Sequence, residues 1–332
     1  MSKHPKILVT QRIHEEVQQR LSVHCDLDMN SGPDPWPQSE VIRRAAQATA
    51  IMGFMTDQID TELLHAAPHL KIVACALKGY DNYNVSACTQ AGVWVSIVPD
   101  LLTEPTAELA IGLAIALARH VRQGDSYVRS GRFEGWRTHF YGMGLHGSVA
   151  AVVGLGQVGS AIVKRLSGFG CSRILGVDPD AKPFGAEMVS LEAAASQADF
   201  LFVAAPLMPA THHLIGKNQL EQAKAGQLII NVGRGSVVDE TAVTQALQKL
   251  QIGGYAADVF ECEDWQLADR PRCISPELLA QSNTVFTPHI GSAVKSVRLA
   301  IEQSAADNII AALQGRAPPD AVNLLPQISV GV

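Results

Sequence analysis

The chain lacks most of what would mark a secreted, membrane-spanning or nucleic-acid-binding protein. No apolar core stands behind the N-terminal M-S-K-H-P-K, and the six cysteines (Cys25, Cys75, Cys88, Cys171, Cys262, Cys273) contain no C-x-x-C pair. Reduced thiols in a cytoplasmic protein are the expectation. The longest apolar region, residues 109–118, is too short to span a bilayer. A net charge of −6 provides no cationic surface for nucleic acid or an anionic membrane. Internal repeats and low-complexity tracts are missing as well, and no metal is called for.

What the chain does have is length and apolar content. At 332 residues and 47% hydrophobic composition it is long for one core, so two domains are expected.

The most informative stretch is 149–178. An apolar run at 149–153 reads as a buried strand, Gly154, Gly156 and Gly159 fit G-x-G-x-x-G, and 160–166 has helical character. A second apolar run, 174–177, ends in Asp178. In the dinucleotide-binding fingerprint the first glycine makes the tight turn and the second admits the pyrophosphate. The third lets helix and strand pack, and the helix N-terminus offers N–H groups to the anion. Asp178 is placed to accept both ribose hydroxyls, and Pro179 beside it brings no cation for a 2′-phosphate. NAD is therefore expected over NADP, with Lys182 and Arg173 leaving weaker NADP use open.

Before this stretch, short strands near 6–10, 25–29, 50–54, 71–76 and 94–98 alternate with helical patterns at 13–21, 39–47, 61–66 and 84–90. Alternation of this kind predicts a parallel sheet covered on both faces. Three prolines make 32–37 a rigid surface loop. A long helix follows at 106–120, capped by Thr103 with Glu104 and Pro105 in its first turn. It is apolar almost all round, which predicts burial between layers or subunits. Residues 124–147 read as irregular. Strands near 200–204, 228–232, 255–259 and 284–287 then alternate with helices at 190–196, 216–223 and 239–250, and the chain ends in a helix over 293–313. The expected organisation is α/β, two doubly wound parallel-sheet domains. Residues 1–98 and 292–332 form a flavodoxin-like substrate domain, 99–291 a Rossmann-type nucleotide domain, and the site is expected in the cleft between them.

Three polar groups follow successive strands of the second domain: Arg234 in N-V-G-R-G, Glu263 in D-V-F-E-C-E-D and His289 in T-P-H-I-G. Arginine is a planar fork for an oxyanion and histidine moves protons near neutral pH. A carboxylate behind the histidine fixes its tautomer. Taken singly, each has a plainer account: a strand-end clamp, a solvated acidic loop, a core histidine. Their equivalent placement beside a nucleotide site favours the chemical one. Trp136 and Tyr141 are read as covering a hydrophobic edge or closing the cleft, and Trp265 as packing to position Glu263.

Together G-L-G-Q-V-G, N-V-G-R-G-S-V-V-D-E, G-Y-A-A-D-V-F and T-P-H-I-G-S resemble the D-2-hydroxyacid dehydrogenase family over nearly the whole chain. The resemblance implies catalytic roles for Arg234, Glu263 and His289, a homodimer built around the long helix, and a cofactor site including Thr106, Gln157, Val158, Pro206, Val232, Gly233, Asp258 and Gly291. Within the family the stretches A-C-A-L-K-G-Y-D-N-Y-N-V and V-F-E-C-E-D-W-Q-L-A-D-R-P-R resemble the phosphonate dehydrogenases, which oxidise phosphite. Lys78 before Gly79 places an ammonium where most hydroxyacid dehydrogenases carry a small or apolar residue. Met55 and Arg298 join it in the implied substrate site. Phosphite oxidation with water as nucleophile is therefore expected. A small 2-hydroxy acid such as D-lactate, or glyoxylate in reverse, is the alternative, and an NAD-sensing corepressor-like protein a third.

Overall fold

The computed structural model describes residues 4–98, 100–180 and 185–325. The chain opens with β1 (Lys6–Val9), α1 (Glu15–Ser22), β2 (Asp26–Met29), α2 (Gln38–Ala45), β3 (Ala50–Gly53), α3 (Thr61–Ala66), β4 (Ile72–Cys75), α4 (Val85–Gln90) and β5 (Trp94–Ser96). It continues with α5 (Thr103–Ala118), α6 (Val121–Arg129), β6 (Val149–Val153), α7 (Gln157–Ser167), β7 (Arg173–Val177), β8 (Glu187–Met188), α8 (Leu191–Gln197) and β9 (Phe200–Val203). The last elements are α9 (Lys217–Glu221), β10 (Leu228–Asn231), α10 (Glu240–Gln248), β11 (Gly254–Ala257), α11 (Pro276–Leu279), β12 (Thr284–Phe286) and α12 (Lys295–Leu313).

These elements form two compact units, Met1–Leu102 with Ala293–Val332, and Thr103–Ser292. The first crossing falls after Leu102 rather than after Val98, because Thr103 already belongs to α5. In the first unit five parallel strands lie in the order β2-β1-β3-β4-β5, the flavodoxin-like order. Side chains alternate across this sheet. Ile7, Val9, Met52 and Ala74 pack with α1 and α12, whereas Leu8, Ile51, Val73 and Cys75 pack with α2, α3 and α4. Both faces of β1, β3, β4 and β5 are largely covered, which is why these strands read as continuous apolar runs, while the edge strand β2 (DLDM) is half-exposed.

In the second unit seven parallel strands run β12-β11-β10-β9-β6-β7-β8, the doubly wound order that reverses beside β6. Ala150, Val152, Phe200 and Phe202 face α5 and α7; Ala151, Val153, Leu201 and Val203 face α10 and its neighbours. Burying each large side chain contributes about 1.5–3 kcal/mol, so these two-sided strands are the anchors from which the loops at the sheet edge project.

Three local expectations change. Thr103 is the first residue of α5 rather than its cap, and its buried hydroxyl has no hydrogen-bond partner. That helix buries one face and leaves Glu104, Glu108, Gly112 and Ile115 exposed, because only one side meets the sheet and α7. The region expected to be irregular begins with α6, split from α5 by His120 at φ 52°. None of its residues is buried.

Candidate active site

The turn after β6 separates two kinds of glycine. Gly154 has φ 87°, and a Cβ on it would lie 2.7 Å from the Ala205 backbone. A Cβ on Gly159 would collide with the Gly154 carbonyl. Both requirements come from the protein's own packing. Gly156 is different: it precedes α7 at an ordinary φ of −62°, and a Cβ there would meet nothing within 4 Å. Open space in front of Gln157 and Val158, at the positive end of α7, fits a pyrophosphate approaching the backbone.

Asp178 follows β7, and its Oδ2 accepts a hydrogen bond from the Leu155 N–H (2.7 Å) while Oδ1 accepts one from the Asp180 N–H (2.9 Å). The carboxylate is thus fixed beside the glycine turn, with Pro179 next to it. Arg173 does not support the 2′-phosphate expectation. It opens β7 at the opposite end from Asp178, roughly 16 Å away at about 3.3 Å per residue, and its guanidinium is engaged by Glu187 and Gln197. Lys182 lies outside the described residues.

The second set of groups sits on the loops after β10, β11 and β12. His289 adopts φ 54°, and its Nδ1 lies 2.6 Å from Glu263 Oε2. Glu263 Oε1 accepts from the Phe260 N–H (2.9 Å), so the carboxylate that orients the imidazole is itself oriented. With Nδ1 held, Nε2 is the nitrogen left to exchange a proton with a substrate. Asp258 is 2% exposed and binds the histidine turn from below. Its Oδ1 accepts from Thr287 Oγ1 (2.6 Å) and the Ile290 N–H (2.8 Å), its Oδ2 from the Gly291 N–H (2.8 Å). A Cβ on Gly291 would press on Thr106 Oγ1 at 3.0 Å, which places Thr106 against the same turn.

Arg234 is positioned by a residue that sequence reasoning did not single out. The buried Asn231 accepts from the Gly233 N–H (3.1 Å) and donates Nδ2–H to the Arg234 carbonyl (3.0 Å). Gly233 packs against Ala205, and Val232 continues the pairing with β9 through Val203. Pro206, beyond β9, is exposed. Gly235 touches the Phe260 backbone so closely that no Cβ fits. Three acids then tie the Arg234 loop to the Glu263 loop. Asp264 Oδ2 accepts from the Ser236 N–H (2.6 Å), while Glu240 and Glu261 each accept the other's backbone N–H (2.8 and 2.9 Å). Burial pushes the Glu240 carboxyl up to about 7. An asparagine before a glycine loop is the one signal in the sequence that points to any of these four.

In the first unit, the loops after β3 and β4 carry Met55, Lys78 and Gly79, all partly buried at the carboxyl edge of the sheet. The Cys75 thiol donates to the Gly79 carbonyl at 3.6 Å. Burial lowers the Lys78 ammonium from its usual value, with Asp100 opposing. Arg298, on α12, lies over the Phe54 ring at 5.8 Å and is likewise lowered by burial, with Glu302 opposing. Trp136 and Tyr141 are both more than three-quarters exposed and cover no edge within the chain. Trp265 stacks under Arg270 at 4.2 Å, and its backbone N–H donates to the Glu263 carbonyl (2.9 Å).

Comparison with known proteins agrees with this geometry. Residues 111–291 match the family described as D-isomer specific 2-hydroxyacid dehydrogenase, NAD binding domain. A glyoxylate reductase of Thermococcus litoralis is 35% identical over 329 residues, covering 96% of this chain and 97% of that protein. One from Korarchaeum cryptofilum is 36% identical over 96% of each chain. Among solved structures, the TT0316 protein of Thermus thermophilus superposes with a TM-score of 0.89 at 32% identity, over 96% of this chain and all of that one. An NADPH-dependent glyoxylate/hydroxypyruvate reductase of Sinorhizobium meliloti, in complex with NADP and malonate, superposes with a TM-score of 0.83 at 30% identity, over 96% and 97% of the two chains. The chain carries a dinucleotide-binding domain of that type and belongs to the D-isomer specific 2-hydroxyacid dehydrogenase family.

Proposed function

We propose that this protein catalyses hydride transfer between NAD and a small oxyanion, and that its first substrate class is a 2-keto acid of the glyoxylate type with the corresponding 2-hydroxy acid. The observation that carries the reading is the His289–Glu263 pair, 2.6 Å apart, beside the Arg234 loop. Bound nicotinamide supplies the hydride donor or acceptor. Arg234 presents a planar fork to the substrate carboxylate, and His289 Nε2–H gives its proton to the carbonyl oxygen as that oxygen becomes a hydroxyl. Glu263 stabilises the imidazolium before transfer and keeps the ring in register. The names of the relatives support the glyoxylate class.

A second reading, oxidation of phosphite to phosphate, has no support from those names and rests on Lys78 and Arg298. Two half-buried cations on one sheet edge suit a dianion better than a monocarboxylate, since each is held in a place that disfavours its charge. In that reaction water adds oxygen to phosphorus, the P–H hydrogen leaves as hydride to NAD, and His289 takes the proton from water. The deciding experiment measures NADH with the purified protein. Consumption with glyoxylate or hydroxypyruvate supports the first reading, and formation with phosphite alone supports the second. Silence with all of them returns the chain to the cofactor-sensing class.

The protein is also read as a homodimer. Val121, Val128, Phe133, Trp136, Phe140 and Tyr141 are exposed on α6 and the segment after it, a concentration of apolar surface that a second copy would cover. Tyr127 gathers Phe133, His139 and Phe140 around it at ring distances of 5.5–6.4 Å. Sedimentation velocity at micromolar concentration checks this; a species of one chain's mass would refute it.

A further inference from the structure

The first unit contains a buried carboxylate that the proposed chemistry does not use. After β3 the chain makes a turn over residues 54–57, closed by the Asp57 N–H donating to the Phe54 carbonyl (3.2 Å), and this turn carries Met55. The Asp57 side chain folds back under it and is 3% exposed. Its Oδ2 accepts from the Phe54 N–H (2.6 Å) and from Thr10 Oγ1 (2.5 Å), a buried hydroxyl just beyond β1. On the other side Asn82 Nδ2 donates to the Asp57 carbonyl and to the Met55 carbonyl (3.3 Å). The Asn82 carbonyl accepts from the Ile59 N–H (3.2 Å). One turn is thereby stitched to β1 by a carboxylate and to the loop containing Lys78 by an asparagine.

The groups that donate to this carboxylate, a backbone N–H and a hydroxyl, are both neutral. The titratable groups facing it are Cys75, pushed up to about 12 by burial, and Tyr83, raised well above its usual value, so both stay neutral. Arg298, from α12, lies over Phe54 rather than on Asp57. Two donors on one oxygen favour the ionised acid, whereas burial favours the neutral one and pushes it up to about 6. An asparagine of the same shape would avoid that burial penalty but offers only a neutral, weaker acceptor to the two donors, so the charge itself calls for an account.

We propose that Asp57 is a positioning residue for substrate binding: its ionised carboxylate pins the Met55 turn to β1, the carbonyls of that turn in turn hold Asn82 in the loop bearing Lys78, and protonation loosens both together. This rests on the reading that those two loops meet the substrate. The lock acts on affinity, not on hydride transfer, because none of its atoms belongs to the Arg234, Glu263 and His289 set.

The test compares wild type with Asp57→Asn. With whichever substrate the wild type turns over, the variant is expected to raise KM about tenfold at pH 8, with kcat within about twofold and NADH affinity by fluorescence titration unchanged. Wild-type KM rises as pH falls through about 6, and the variant's KM is flat there. Amide-exchange protection in peptides covering 54–60 and 77–84 falls in both together in the variant, and in both together in wild type at low pH. A wild-type KM and pH profile retained by the variant overturn the proposal, as does exchange in which only one loop responds. If the wild type turns over none of the substrates, the functional reading fails by itself, and the exchange experiment still decides whether the lock exists.

Discussion

The carboxyl edges of the two sheets solve their electrostatics differently. On the seven-stranded sheet the polar groups satisfy one another: Glu263 holds His289, Asn231 holds the Arg234 loop, and Asp258 holds the histidine turn. On the five-stranded sheet Lys78 and Arg298 are lowered by burial and Asp57 is raised by it. A self-satisfied constellation is preorganised, so the proton and hydride steps need little rearrangement when substrate arrives. An edge whose charges are held in places that disfavour them gains most when an outside anion arrives, which is where discrimination between substrates is best built. In the function proposed above, the second unit carries the shared chemistry and the first the choice of substrate.

The largest effect separates these roles. His289→Ala should lower kcat by about a thousandfold, the scale of a missing general acid–base group, while leaving NADH affinity unchanged in a fluorescence titration. Loss of cofactor binding along with turnover would mean that the turn held by Asp258, not the imidazole, was the essential feature. Lys78→Ala comes next and attacks the other half of the comparison. On the phosphite reading KM for phosphite should rise about thirtyfold, consistent with removal of a charge-assisted hydrogen bond of about 2 kcal/mol. On the glyoxylate reading KM for glyoxylate should change less than about fivefold. An unchanged constant for both substrates would make Lys78 a surface group and remove the case for an anion-matching edge.

The difference between the edges also explains what the sequence discloses. Strands buried on both faces must be nearly continuous in apolar residues, so both sheets are legible from 6–10 through 284–287. Gly154 and Gly159 are demanded by backbone contacts that recur wherever this turn is built, which makes their spacing readable. The helix α6 was not legible because none of its residues is buried within the chain, so its polar-rich segment reads as exposed and irregular. The strand β8 and helix α11 are too short to show a period. The side chains of the proposed active site could be found because each follows a recognisable strand. Asn231 was marked only by its place before a glycine loop, and Asp264, Glu240 and Asp57 could not be found at all, since acids are surface groups by default and only tertiary packing buries these three.

Glu240 and Asp57 are both buried acids raised by burial, so the seven-stranded sheet also holds one group where its charge is disfavoured. Glu240 rises from 4.5 to about 7 in the folded protein because burial outweighs the Glu261 N–H that supports its charge. Between those values the folded state holds a proton that the unfolded state has released, so its contribution to stability falls as pH rises and is fully lost above about 7. Glu240→Gln keeps the acceptor for the Glu261 N–H and removes the charge. The stability of the variant relative to wild type should increase by on the order of 2 kcal/mol between pH 5 and pH 8, read from urea unfolding at each pH. A pH-independent difference would mean that the acid stays charged, or reaches water, in the folded state.

The smallest effect lies within the cofactor site and contrasts two charges on one strand. Asp178, at the end of β7 and fixed by Leu155 and Asp180, is the group that a 2′-phosphate would meet. Arg173, at the start of the same strand, is held by Glu187 on the neighbouring edge strand. Asp178→Ala should shift the ratio of kcat/KM for NADP over NAD upward by about tenfold, because the 2′-phosphate no longer meets a like charge and the ribose of NAD no longer has its acceptor. Arg173→Ala should leave that ratio alone. If the second substitution moves the ratio as far as the first, the ribose phosphate is read by the long-range field of the strand rather than by a carboxylate at its end. Cofactor choice would then not be local to the fingerprint.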